Sequence, residues 1–230
     1  IKKMDIKRYA IYFMPDGALG NFGAAWFGWD PLAGKRGPFL NSDGINADHA
    51  KLIKAPRKYG LHATLKSPFR LKAPYTETEL ILSFEEFCAQ AVPARGGKLI
   101  PKIIGGFLAL APMTTLEGFN HLAGDCVKFF EPYRAPLNDA EIAKQQERPL
   151  SQYQERMLFK WGYPYVFDAF KFHITLTGRI EGKTARQLIQ HLENWLNPIL
   201  PDPFVIPDLV LAGEDEAGQF HELLRRDLKG

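Results

Sequence analysis

Two stretches of this chain could carry chemistry together. Residues 60–69 read GLHATLKSPF and residues 171–179 read KFHITLTGR, so His-x-Thr-Leu is written twice, more than a hundred residues apart. Only eight of the 230 residues are Thr and six are His. If positions were independent, chance duplication would be on the order of a few in ten thousand. Strand propensity explains the Thr and the apolar residues, but not a His at the head of both copies.

Alternate residues of a strand face the same side. His62, Thr64 and Lys66 are therefore expected on one polar face, with Ala63 and Leu65 on the other. His173, Thr175, Thr177 and Arg179 share a face in the same way, opposite Ile174 and Leu176. A symmetric pair of His has three readings. As metal ligands they would need third and fourth donors, and the chain has no HxxxH, HExxH or Cys cluster. As a phosphohistidine site, one His would suffice and the repeat would be unexplained. As a general base and a general acid, two are required, because in-line cleavage of a phosphodiester needs one on each side of phosphorus. Histidine suits both roles near neutral pH, and the Thr hydroxyl two residues on can donate to a non-bridging phosphoryl oxygen. This reading calls for neither metal nor cofactor.

Further candidates flank the motifs. Lys66, Arg57, Tyr59, Tyr12 and Tyr163 are the expected substrate contacts. The cations could meet a phosphate, with surface solvation as the alternative. The tyrosines could stack a base or bind phosphate, with core packing as the alternative. Gly17, Gly20 and Gly23 lack the Lys-Ser/Thr of a phosphate loop and read as loop flexibility. His49, His121, His191 and His221 lie outside the motif and read as structural or exposed.

The elements that must position these groups follow from periodicity. Strands are expected at 8–14 and 62–67, the second closed by Pro68, with a long irregular stretch between them up to about Tyr59. A helix capped by Thr76 and Glu79 runs to about Val92. A hairpin with strands 98–104 and 107–111 turns at Gly105-Gly106, and a helix spans 116–130. A partly helical polar stretch, 136–154, leads to a strand at 172–177, a helix at 184–196, and strands 203–212 and 219–227. Each motif thus opens the same order of strand, helix, strand, strand.

Composition fits a globular chain, at 46% hydrophobic with a formal net charge of +3. That charge does not call for a polyanion such as duplex DNA. Two Cys without metal-type spacing, and no signal-like apolar run, favour a reducing cytoplasm. No stretch approaches the roughly 20 apolar residues of a membrane span.

The paired HATL and HITL, each heading a strand-helix-strand-strand unit, resemble the signature of the two-histidine (2H) phosphoesterase superfamily. RYAIYF, WFGWDP, PRKYGLHATLKSPF, RAPL, KWGYPYV and FKFHITLTGRI resemble its phosphonate-metabolism branch, whose members accompany carbon-phosphorus lyase systems. The resemblance implies a bilobal α+β fold with pseudo-twofold symmetry, in which two antiparallel-sheet lobes with outer helices flank a central cleft. It is expected as a single domain over 1–230, with lobes of about 8–112 and 113–230 that can exchange strands. It also implies metal-independent hydrolysis of a cyclic phosphate or related phosphodiester, with His62, Thr64, His173 and Thr175 as catalytic residues. The expected ligand is a nucleotide or sugar cyclic phosphate, such as a ribose cyclic phosphate, or an RNA end. A binding module using the same cleft without turnover is the alternative. Oligomeric state and the division of acid and base between the two His stay open.

Overall fold

A computed structural model describes residues 4–40, 48–114 and 117–230. Within them the chain forms, in order, β1 (Arg8–Phe13), α1 (Gly17–Phe27), β2 (Trp29–Asp30), β3 (Lys35–Arg36), α2 (His49–Ile53), β4 (Ala63–Phe69), α3 (Glu77–Gln90), β5 (Ala94–Arg95), β6 (Leu99–Ile104) and β7 (Phe107–Pro112). It continues with α4 (Glu117–Phe129), α5 (Asp139–Gln146), α6 (Gln152–Trp161), β8 (Ile174–Arg179), α7 (Gly182–Leu196), β9 (Val205–Ile206), β10 (Asp208–Glu214) and β11 (Phe220–Asp227). Leu116, the first residue of one expected helix, lies outside the described residues.

Seven strands make one sheet in the order β11-β10-β1-β4-β8-β7-β6, with every neighbouring pair antiparallel. The expected α+β class holds. The two motif strands, β4 and β8, sit side by side in the middle. The hairpin that follows the first motif, β6–β7, is built onto the second motif strand. The hairpin that follows the second motif, β10–β11, is built onto β1 and through it onto the first.

One face of the sheet carries the main core. Tyr9, Ile11, Phe13, Ala63, Leu65, Leu108, Leu110, Ile174, Leu176, Leu209 and Leu211 alternate onto it and meet Phe22 and Trp26 of α1, Phe84 of α3, Phe119 of α4 and Leu188 of α7. Period-two strands against 3.6-period helices produce this layer. The Thr76–Glu79 capping box starts α3 as expected. No helix among the described residues is long and apolar enough to cross a membrane.

Two departures from the sequence expectation matter for the site. The glycine-rich stretch from Gly17 is helical rather than irregular, and its glycines serve close approach: a Cβ on Gly23 would stand 2.4 Å from the Cβ of Leu61. Glycine there lets α1 settle against the residue that precedes His62. Pro68, expected to close its strand, lies inside β4. The β1–β4 register slips between Tyr9 and Ile11, where Phe69 and Lys66 are their partners, so the ladder is broken where Pro68 has no N–H to give.

Candidate active site

His62 and His173 each stand one residue ahead of a motif strand. The two strands meet at a single pair, Ala63 opposite Ile174. Both of those residues are buried against the helices, at 1% and 0% exposure. Their neighbours His62, Thr64, His173 and Thr175, all half-buried, therefore turn to the opposite face. Continued in antiparallel register, the pair sets His62 across from Thr175 and Thr64 across from His173. One bridge thus brings the four motif side chains into a single cluster.

Both rings are held in the same way. The Nδ1–H of His62 donates to the carbonyl of Gly60 at 3.0 Å, and that of His173 donates to the carbonyl of Lys171 at 2.7 Å. A carbonyl only accepts, so each neutral ring carries its proton on Nδ1 and keeps its lone pair on Nε2. Each ring can take a proton at Nε2, or deliver one from there once charged. Gly60 has a φ of +69°, and a Cβ on it would meet Pro31 Cγ at 2.3 Å, so the carbonyl that orients His62 depends on glycine.

The environments of the two rings differ. His62 lies between Tyr12, at 4.3 Å between ring centroids, and Tyr59, at 5.3 Å. Burial pushes its pKa down to about 4, the Gly60 carbonyl opposes this, and the nearby His173 lowers it further. Burial also lowers His173, against the pull of the Lys171 carbonyl, and its aromatic neighbour is Phe107 at 5.6 Å. Two rings that repel a shared charge and sit in unlike surroundings can divide an acid role from a base role.

The expected substrate contacts are distributed unevenly. Tyr12 is on β1 with Thr64 as its cross-strand partner, fully buried, and its hydroxyl meets no partner among the described residues. Burial and the neighbouring Tyr59 push that hydroxyl well above its ordinary pKa. Tyr59 closes the 3-10 turn Pro56–Tyr59 and packs on Phe220 at 4.8 Å. Tyr163 joins this group, packed edge-on against Tyr165 at 5.5 Å, with its pKa pushed up to about 12 by burial and then by Tyr165 and Tyr59. The Arg57 guanidinium lies over the Phe39 ring at 5.2 Å.

Lys66 is a correction. One step on β1, from Ile11 to Tyr12, spans two on β4, from Lys66 to Thr64. This bulge puts Lys66 on the helix side together with Leu65. There it is 2% exposed, and its Nζ donates to the Val127 carbonyl at 2.9 Å and to Glu131 at 3.0 Å. Simple alternation had placed it beside Thr64. A second slip, in the β7–β8 ladder, removes Thr177 from the motif's polar face. Its buried hydroxyl accepts from the Leu108 N–H at 3.0 Å and donates to the Gly178 carbonyl at 2.8 Å.

Phe107 and Lys102 belong to this face but have no signal in the motifs. Lys102 pairs with Ala109, which pairs with Thr175, so the three lie in one row across β6, β7 and β8. The hairpin was legible, but its attachment to the second motif strand was not. The other His lie elsewhere: His49 packs on Trp26 and Phe39, and His221 bonds Asp215 at 2.8 Å. Among the described residues no group of three or more His, Cys, Asp or Glu is arranged to hold a metal ion. A groove of about 700 Å³ between α3, β5 and α4, lined by Phe87, Val92, His121 and Phe129, is remote from this chemistry.

Comparison with known proteins matches the chain to a family, two curated relatives and a solved structure. The family described as "Protein of unknown function (DUF1045)" matches residues 64–221. The ribose 1,5-bisphosphate phosphokinase PhnN of Janthinobacterium sp. (strain Marseille) is 34% identical over 227 residues, which is 95% of this chain and 50% of that protein. The protein of the same name from Laribacter hongkongensis (strain HLHK9) is 28% identical over 220 residues, 95% of this chain and 51% of that one. The chain spans about half the length of these curated relatives. Among solved structures, E. coli LigT complexed with NADP+ aligns over 98% of this chain and 99% of its own, at 12% identity and a TM-score of 0.46.

Proposed function

The chain belongs to the DUF1045 family of proteins of unknown function, and from its site we propose that it hydrolyses a cyclic phosphate or related phosphodiester by acid/base catalysis with His62 and His173. The observation that supports this most is the matched pair of rings. Both have Nδ1–H tied to a carbonyl two residues upstream, both leave Nε2 for the reacting atoms, and both stand beside a Thr hydroxyl.

In the reaction one Nε2 takes a proton from water as its oxygen attacks phosphorus. The bond from phosphorus to the ring oxygen breaks, and the other Nε2, already protonated, gives its proton to that oxygen. Thr64 and Thr175 donate to the non-bridging oxygens, where charge builds in the transition state. Burial lowers the pKa of both rings, and His62, packed between two tyrosines, is the more strongly depressed, so we assign the base to His62 and the acid to His173.

The substrate class we favour is a ribose cyclic phosphate. The two curated relatives are named for ribose 1,5-bisphosphate. Opening a cyclic phosphate on a ribose that bears a second phosphate gives a ribose bisphosphate, the kind of molecule such a kinase consumes. The test is a panel of cyclic phosphates assayed with wild type, His62→Ala and His173→Ala. Each substitution is expected to cost about 10² to 10⁴ in rate, and full activity in either variant would overturn the proposal.

A further inference from the structure

The histidine face is closed over one half of the sheet and only partly covered over the other. Over β1, β10 and β11 it is closed by Ala10, Tyr12, Met14, Val210, Ala212 and Phe220, all buried, with Tyr59 packed on them. Over β6 and β7 the side chains that share the face, Ile100, Lys102, Ile104 and Phe107, are only half-buried. Between them and the motif strand stand Ala109 and Ala111, buried at 0% and 6% exposure, whose short side chains raise no wall. The second half is the side of this face that leaves room for a substrate to extend from the histidines.

The charges on the two halves differ as well. The strand cations Arg8 and Arg225 on the filled half are neutralised, Arg8 by Glu214, and Arg225 by Asp208 and Glu222. Strands β6, β7 and β8 contain two cations, Lys102 and Arg179, and no Asp or Glu. Arg179 is exposed at the far end of its strand. The Lys102 ammonium is anchored by the carbonyls of Pro112, at 2.6 Å, and Met113, at 3.2 Å, and has no carboxylate at ion-pair distance among the described residues. An ammonium has three donors, and the two carbonyls engage two of them.

We propose that Lys102 binds a second anionic group of the substrate, a phosphate that is not cleaved, so that the preferred substrate is a phosphorylated sugar cyclic phosphate. Two strand spacings separate its backbone from that of Thr175, about 10 Å. A lysine stem and the arm of a sugar phosphate together bridge that span. The subsite rests on the hydrolytic reading given above, since that reading puts the scissile phosphate at the histidines.

The test compares a ribose cyclic phosphate with and without a phosphate on carbon 5. Lys102→Met is expected to raise KM for the phosphorylated probe about 10- to 100-fold, the size of a lost charge-assisted hydrogen bond. It should leave kcat, and both constants for the unphosphorylated probe, within about twofold. Lys102→Arg should retain most of the preference. Equal loss on both probes would reduce Lys102 to a cap on the end of β7, and no change on either would remove it from the site. If wild type turns over neither probe, the hydrolytic reading falls. The subsite is then decided by binding of ribose 5-phosphate measured calorimetrically: weakening by Lys102→Met and retention by Lys102→Arg support it, and equal binding overturns it.

Discussion

The Tyr12 ring lies 4.3 Å from that of His62, tilted by 38°, and its buried hydroxyl has no hydrogen-bond partner among the described residues. Tyr12 thus packs the proposed base while holding a desolvated polar atom beside it. A polar group left unpaired in the interior destabilises a fold by about 1–3 kcal/mol. Tyr12→Phe keeps the ring and removes that cost, so its Tm should exceed that of wild type by about 2 to 12 °C. Turnover should fall if the hydroxyl serves substrate. A clear drop in Tm would show instead that the hydroxyl is satisfied.

Acid should destabilise the protein through His62. The unfolded ring has a pKa of 6.5 and the folded one about 4. Below pH 6.5 the unfolded chain takes up a proton that the folded chain refuses, so stability falls as pH drops toward 4, and nothing from this group changes above pH 7. The full effect is about 3 kcal/mol. Denaturant melts between pH 7 and pH 4 should show this slope, and His62→Gln, which keeps a donor for the Gly60 carbonyl, should flatten it. An unchanged slope in the variant would assign the acid sensitivity to other groups.

Lys66→Met should damage the fold and spare the chemistry. The buried ammonium serves the Val127 carbonyl and Glu131, and Met fills the volume of its stem without serving either. Glu131 keeps its pairing with Arg134, so the loss should stay near 1–3 kcal/mol. Steady-state assays well below the lowered Tm should give wild-type KM and kcat. A raised KM would return Lys66 to the substrate.

Gly60→Ala should do the reverse of a surface change. The residue would carry a side chain at a φ of +69° and against Pro31 Cγ. Strain at such a position costs about 1–3 kcal/mol. Because the Gly60 carbonyl orients His62, kcat should fall by up to about 10²-fold with little change in KM. Wild-type kcat in a folded Gly60→Ala protein would show that the ring does not need this carbonyl.

The sequence made the motif strands legible because alternation over His62 to Leu65 and His173 to Leu176 is undisturbed, and half-buried and buried residues do alternate there. One residue further the reading of faces failed at Lys66, because a bulge depends on the register against β1 and not on local pattern. Helix α1 was hidden by its own glycines, which signal flexibility until the packing against Leu61 is known. Lys102 was hidden for a third reason. Nothing near it in the chain says that β6–β7 joins β8, 62 residues after β7 ends.

The exchange of hairpins across the sheet also governs how this molecule comes into being. Strand β1 is paired on one side with β10, whose residues lie some two hundred positions later. Contacts of such high sequence separation slow folding and delay closure of the core. On the ribosome β1 must therefore wait, partnered on one side only, until the β10–β11 hairpin has emerged. A gene cut between the two halves would yield two fragments, each holding strands that complete the other, so activity should appear only when both are present.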